Sequence, residues 1–328
     1  MRSTRVYAVF SLVCAIFGTT FLAIKLGVAA GAPPFLFAGI RFTIAGLVLG
    51  AALIASGRIG LRALVALAPR AILLSLLYIV VNFGATFWAE QYIGGSTAAQ
   101  IDAVGPIASA ILSAAFLGKK LRPAHGLGIA AGFAGVWLIV RGIGAPDGGK
   151  SILASAVMLG GAVGFAGASI LYKRLFDDSV DSFAVNALNM LSGGLGLLVL
   201  SALSGERGFP ATSAALLPLL YLIVAGSLVG HSANLWLVKK AGPLFTSSWS
   251  YVSPVIATAV GAAALGEKVS LWSAAGAALT LIGVFAISRA EMRGISPGAA
   301  PALVAGAAAT AGPAAFVDPR GAEAAADQ

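Results

Sequence analysis

Charged side chains are rare in this 328-residue chain: Asp, Glu, Lys and Arg make up 10% of it, against 59% hydrophobic residues. A water-soluble domain carries about a quarter charged residues, so most of this chain has no means of facing water. Acidic residues are fewest, 12 Asp and Glu against 21 Lys and Arg, for a formal net charge of +9. Cysteine occurs once, as Cys14 within an apolar run, which excludes a disulfide framework and reads as a small packing residue. The two histidines, His125 and His231, fall in separate segments and give no metal-ligand spacing. There is no phosphate-binding loop and no nucleophile beside a base, so no metal, cofactor or enzymatic activity is expected. Ten-residue runs of alternating polarity are lacking too, which disfavours a membrane barrel.

Long apolar runs are what the chain has instead. Ten segments, each roughly the 20 residues that a bilayer core demands, lie at 6–28, 34–56, 70–93, 97–117, 122–142, 151–173, 182–203, 215–238, 244–265 and 270–289. Turn residues separate them, as at Gly31-Ala32-Pro33-Pro34 and Gly242-Pro243. A polytopic helical membrane protein is the class that fits.

The segments repeat. Pro254–Ser288 is a pair of apolar helices joined by Gly266-Glu267-Lys268, and it has a cousin 148 residues earlier at Pro106–Val140. At that offset Gly276 falls on Gly128, Gly283 on Gly135, Phe165 on Phe17, Gly194 on Gly46 and Trp236 on Trp88. Residues 1–142 and 149–290 therefore read as two five-helix repeats, followed by an Ala/Gly/Pro-rich tail, 294–328, expected to be disordered and cytoplasmic. The first segment has a counterpart in the sixth, so it is expected to be a mature helix and not a cleaved signal peptide. Because five is odd, the second repeat is expected upside down. The expected fold class is all-α integral membrane, ten transmembrane helices as two inverted five-helix repeats.

Basic residues agree with one orientation. With the N-terminus inside, Arg2, Arg5, Arg58, Arg62, Arg70, Lys119, Lys120, Arg122, Lys173, Arg174, Lys239, Lys240, Arg289 and Arg293 fall on the cytoplasmic side. The other side holds Lys25, Arg141, Lys150, Arg207 and Lys268. This positive-inside bias accounts for the basic excess without nucleic acid and puts both termini in the cytoplasm.

The block Phe17-Gly18-Thr19-Thr20-Phe21, continuing to Ala23-Ile24-Lys25, resembles helix one of the drug/metabolite transporter superfamily, specifically its EamA branch. Pro34 followed by Arg41, and the Pro254 to Leu265-Gly266-Glu267-Lys268 to Gly283 pattern, extend the resemblance over residues 5–290. Lys119 departs from it, standing where the family pattern favours Glu, as Glu267 does in the second half. The resemblance implies a secondary carrier of the bacterial inner membrane, many relatives exporting amino acids or related metabolites.

Polar groups at membrane depth are the candidate site. Arg41 sits about seven residues into its segment, roughly 10 Å deep at 1.5 Å per residue. Asp102, Glu90 and Lys25 fall near the same level, and Arg41, Glu90 and Asp102 are expected to serve gating or proton coupling. Arg41 and Asp102 are expected to pair, with Asp102 the first candidate for proton titration. The competing reading is a fixed structural salt bridge or contacts with lipid headgroups. The repeat maps Arg41 onto Asn189 and Asp102 onto Ser250, with Asn186 and His231 at comparable depth in the second half. His231 is either a pH-sensitive group or a neutral packing histidine. Tyr78, Asn82, Trp88, His231, Trp236, Trp249, Ser250 and Tyr251 are expected to line a substrate pocket, although Trp88 and Trp236 also suit interface anchors. Pro254 would free a carbonyl one turn back, near Ser250.

The expected function is alternating-access export of a small metabolite, amino acids first, with a proton as one candidate coupling ion and the protein acting as a monomer or homodimer in the bilayer. The alternatives are a drug, cation or sugar carrier, and a membrane scaffold or binding subunit that transports nothing.

Overall fold

The computed structural model describes residues 2–117, 123–143, 149–177, 179–241, 246, 248–267 and 269–292. The Lys119-Lys120 turn, Gly242-Pro243, Ser247, Lys268 and the 294–328 tail lie outside them. Among the described residues the chain is helical throughout: α1 (Arg2–Ala29), α2 (Pro34–Ala55), α3 (Leu61–Ser75), α4 (Asn82–Ala89), α5 (Gly95–Asp102), α6 (Gly105–Leu117) and α7 (Pro123–Ile143). There follow α8 (Lys150–Leu175), α9 (Ser182–Leu203), α10 (Ser213–Tyr221), α11 (His231–Ala241), α12 (Trp249–Leu265) and α13 (Leu271–Met292). Eight of the resulting spans are long and apolar enough to cross a membrane, and Trp249–Leu265 and Leu271–Ala286 are shorter apolar helices.

Three expected segments are interrupted. A π-helical stretch, Leu76–Val81, joins α3 to α4, and a second, Leu222–Gly230, joins α10 to α11. The wider π turn shifts the register of side chains around the helix and is often found at functional sites. In the fourth segment the helix breaks at Ala103-Val104, between α5 and α6. Pro106 explains the break, since it has no N–H to donate and its ring crowds the carbonyl four residues back, that of Asp102.

Burial is inverted relative to a soluble protein. Arg41, Asn82, Glu90, Gln100, Asn186 and Asn189 are buried, while Leu47, Trp137, Val199 and Phe285 stand exposed. Such an apolar exterior around a polar interior suits lipid as solvent. Lipid supplies no hydrophobic drive between helices, so close packing of small residues must hold them.

The glycines show how. A methyl on Gly135 of α7 would lie 2.6 Å from the Gly276 carbonyl oxygen of α13, and one on Gly283 would lie 2.5 Å from the Gly128 carbonyl oxygen. A methyl on Gly46 of α2 would crowd Leu191 and Ala187 of α9, and one on Gly194 would lie 2.6 Å from Thr43 Oγ1. In both pairs, moving up one helix moves down its partner, so the helices run antiparallel. The contacts are also reciprocal at the 148 offset: Gly135 with Gly276 corresponds to Gly283 with Gly128, and Gly46 with Leu191 to Gly194 with Thr43. The helix bounds repeat as well, Pro34–Ala55 against Ser182–Leu203.

Carboxylates fix several helix starts. Glu206 accepts from the N–H groups of Phe35 (3.2 Å) and Leu36 (2.8 Å), at the positive end of α2. Asp181 caps α9 through Phe183 N–H at 2.8 Å and pairs with Arg58. At the end of α12, Gly266 takes φ +63, a left-handed turn that glycine adopts freely, and Glu267 follows. Its carboxylate accepts from Gly95 N–H at 2.8 Å, Ser96 N–H at 3.1 Å and Ser96 Oγ, capping α5.

Candidate functional site

Arg41 is the centre of the polar interior. With α2 anchored at Pro34 and Glu206, it falls about two turns into the helix, 2% exposed. Its Nε donates to Ser227 Oγ at 3.0 Å, a residue of the Leu222–Gly230 π stretch. Gly226 beside it leaves room for the guanidinium: a methyl there would lie 3.0 Å from Nη2. Three rings surround the charge, Phe42 at 4.6 Å, Phe83 at 5.5 Å and Phe87 at 5.8 Å. Such faces attract a desolvated cation but do not satisfy its hydrogen bonds, and Nη1 is buried without a partner.

The expected Arg41–Asp102 pair does not form; the ion pair found among the described residues is Arg58–Asp181. The packing explains this. Asp102 ends α5, which rests on α1, α8 and α12, whereas α2 rests on α9 and the second π stretch. Tyr78 lies within electrostatic reach of both charges.

About one helical turn from Arg41 lies an aromatic group. Thr20 reaches Gly226, and three residues before it on α1 Phe17 meets His231 (ring centroids 5.5 Å) and Trp249 (4.7 Å, edge-on). Gly230 lets the ring approach, since a methyl there would lie 2.9 Å from Phe17 Cε1. Trp249 Nε1 is buried with no acceptor, as are Asn186 Nδ2 and Asn189 Oδ1, with no acceptor and no donor respectively. Tyr221 and Thr19 share a hydrogen bond of 2.5 Å nearby on α10 and α1. The result is a guanidinium with a free N–H beside a mixed aromatic and polar wall built from α1, α2, the second π stretch, α11 and α12. That combination can hold an anionic group at one end and an apolar or cationic group at the other.

A second cluster sits where α4 turns into α5. Lys25 Nζ donates to the carbonyl oxygens of Glu90 (2.7 Å) and Ile93 (2.9 Å). Glu90 is 0% exposed, and neither carboxylate oxygen has a hydrogen-bond partner. Lys25, Glu267 and Arg41 are the charges that act on it.

The remaining expected residues scatter. Tyr78 lies in the first π stretch against Phe165 (5.4 Å) and Phe83 (6.3 Å). Asn82 is buried on α4 facing Gly161 of α8, and its carbonyl accepts from Thr86 Oγ1 at 3.0 Å. Trp88 packs on Tyr92 at the same helix end as Glu90. Trp236 stands beneath the Arg5 guanidinium (5.8 Å), about 7.5 Å along α11 from His231 at 1.5 Å per residue. Ser250 is partly buried next to Trp249, and Tyr251 turns to α13, donating to the Val284 carbonyl at 3.3 Å. Among the described residues no three His, Cys, Asp or Glu side chains converge to hold a metal. Phe17, Ser227, Phe83 and Phe87 were missed by the sequence reading. Phe17 had a signal, as a repeat mark aligned with Phe165; Ser227 had none.

Comparison with known proteins follows the same lines. The EamA-like transporter family model matches residues 4–141 and again 152–289. An Escherichia coli K12 protein described as an uncharacterized inner membrane transporter, YedA, is 32% identical over 263 residues, 78% of this chain and 81% of its own length. A Bacillus subtilis protein described as an uncharacterized transporter, YvbV, is 28% identical over 261 residues, 78% of this chain and 82% of its own. A solved crystal structure shares the fold with a TM-score of 0.58 at 22% identity, covering 88% of this chain and 99% of that one. With one family model matching both halves and a relative this similar along most of its length, the chain belongs to the EamA-like transporter family of membrane transporters.

Proposed function

We propose that this transporter is a secondary-active exporter of amino acids or related carboxylate-bearing metabolites. In this reading it works by alternating access between two inverted five-helix halves, with ten crossings and both termini cytoplasmic. The antiparallel, reciprocal contacts of α7 with α13 and of α2 with α9 support the inverted arrangement. On that arrangement, the shorter α12 and α13 serve as the ninth and tenth crossings.

The observation that carries the substrate class is the buried Arg41 with Nη1 unpartnered and, among the described residues, no carboxylate paired with it. A guanidinium is the side chain best matched to a carboxylate, to which it can donate two parallel hydrogen bonds. Phe17, His231 and Trp249 would then receive the rest of the substrate.

A cation or drug carrier is the second reading, favoured by the Phe17–Trp249 aromatic group, since ring faces also bind cations. Efflux from proteoliposomes loaded with radiolabelled amino acids, amines and sugars separates the readings. Amino-acid efflux supports the proposal, amine-only efflux selects the cation carrier, and absence of flux across the panel favours a scaffold without transport.

A further inference from the structure

We propose that Glu90 is a proton-binding site of this carrier, a carboxyl that is neutral in the conformation seen here and ionises when Lys25 or Arg41 moves into direct pairing with it. The inference rests on the transporter reading only for its coupling consequence.

Glu90 is 0% exposed, and both its carboxylate oxygens lack a hydrogen-bond partner. An ionised carboxylate in that setting loses its hydration and gains no donor in return, a cost of several kcal/mol in real proteins. Binding a proton removes the charge. The groups facing it are Lys25 from α1, Glu267 from the turn before α13, and Arg41 from α2. Glu267 is already committed to the α5 N-terminus. Lys150 of α8, at the same end, lies over the Tyr92 ring at 6.0 Å.

Lys25 lies against the Glu90 main chain, and the Arg41 charge acts on Glu90 from α2. The Lys25 ammonium is held by the Glu90 and Ile93 main-chain carbonyls, with a third N–H still available. Arg41 has Nη1 free. A shift of α1 or α2 that brings either cation onto the carboxylate supplies the missing donor, and the proton leaves to solvent as the ion pair forms. The bookkeeping is one proton on or off one carboxyl oxygen, with no other reactant. Because Arg41 also offers Nη1 to a substrate carboxylate, substrate and ionised Glu90 compete for it. Substrate arrival favours protonated Glu90, and substrate release favours the ion pair.

The test is pH-step difference infrared spectroscopy on the full-length chain in proteoliposomes, read at the carboxylic acid C=O stretch. A titrating band that is lost in Glu90→Gln and kept in Asp102→Asn supports the proposal. A band unchanged in Glu90→Gln, or lost instead in Asp102→Asn, overturns it. Should Glu90→Gln fail to fold, Glu90→Asp keeps a carboxyl in a different position: a shifted band supports the assignment and an unshifted one overturns it. The coupling is read separately with a radiolabelled amino-acid mixture. Glu90→Gln is expected to lose pH-gradient-driven accumulation at least tenfold while retaining substrate exchange; retained accumulation overturns the coupling. Absence of exchange in the wild type refutes the transporter reading instead, and leaves the infrared result to decide the proton site by itself.

Discussion

Replacing Gly135 with alanine puts the helix α7–α13 contact to a direct test. The new methyl would lie 2.6 Å from the Gly276 carbonyl oxygen and 2.7 Å from the Thr280 amide nitrogen, both backbone atoms that no rotamer change can move aside. The two helices must part, and overpacking of this kind costs about 1–3 kcal/mol. The repeat makes the test sharper. Gly283 is the counterpart of Gly135, and its methyl would lie 2.5 Å from the Gly128 carbonyl oxygen, so Gly283→Ala is expected to destabilise to a similar degree. Gly126, also on α7, has nothing within 4 Å of a methyl. There alanine replaces the more flexible residue and is expected to be neutral or stabilising by about 0.4–1 kcal/mol. Thermal or denaturant unfolding of the purified variants in detergent micelles reads all three. Wild-type stability in Gly135→Ala, or equal loss in Gly126→Ala, would refute the reciprocal glycine contact.

Other substitutions probe the polar anchors. Glu267→Ala leaves the first N–H groups of α5 without their acceptor and is expected to cost about 1–2 kcal/mol, typical of a lost helix cap, in the same unfolding assay. Ser227→Ala strands Arg41 Nε in a buried site and should cost about 1–3 kcal/mol. Tyr251→Phe removes the hydroxyl that donates to the Val284 carbonyl at 3.3 Å, so stability should fall by about 1 kcal/mol, with substrate exchange unchanged if Tyr251 is a packing residue and not a pocket wall.

How far the sequence revealed this molecule depended on range. Helix bounds were legible because long apolar runs and proline-glycine turns are local: Pro34 to Ala55 was expected almost to the residue. The 148-residue duplication was legible because identities such as Gly135 with Gly283 need only be counted. The break at Ala103-Val104 has its cause in view at Pro106, although the apolar run 97–117 reads as one continuous segment. The π stretches were not visible, because an extra residue in one turn leaves no trace in an apolar run such as Leu222–Gly230. Site membership was the least legible. Ser227 meets Arg41 across 186 residues of sequence, and Glu267 meets Ser96 across 171. Phe17, His231 and Trp249 converge from three helices whose relative rotation only packing decides. The Arg41–Asp102 pairing failed for the same reason: equal depth does not place two side chains on facing surfaces. Trp88 and Trp236 lie toward helix ends, each with a partner there and neither beside Arg41.

Arg41 is the residue on which carboxylate recognition depends. Counterflow of a radiolabelled amino acid in proteoliposomes, compared between wild type, Arg41→Lys and Arg41→Gln, tests it most directly. Losing hydrogen bonds to a charged group costs about 1.5–3 kcal/mol, so Arg41→Gln should raise the half-saturating concentration roughly tenfold to more than a hundredfold. Arg41→Lys, which keeps the charge but not the fork, should recover part of that loss. An unchanged half-saturating concentration in a folded Arg41→Gln would contradict the assignment of Arg41 as the carboxylate receptor.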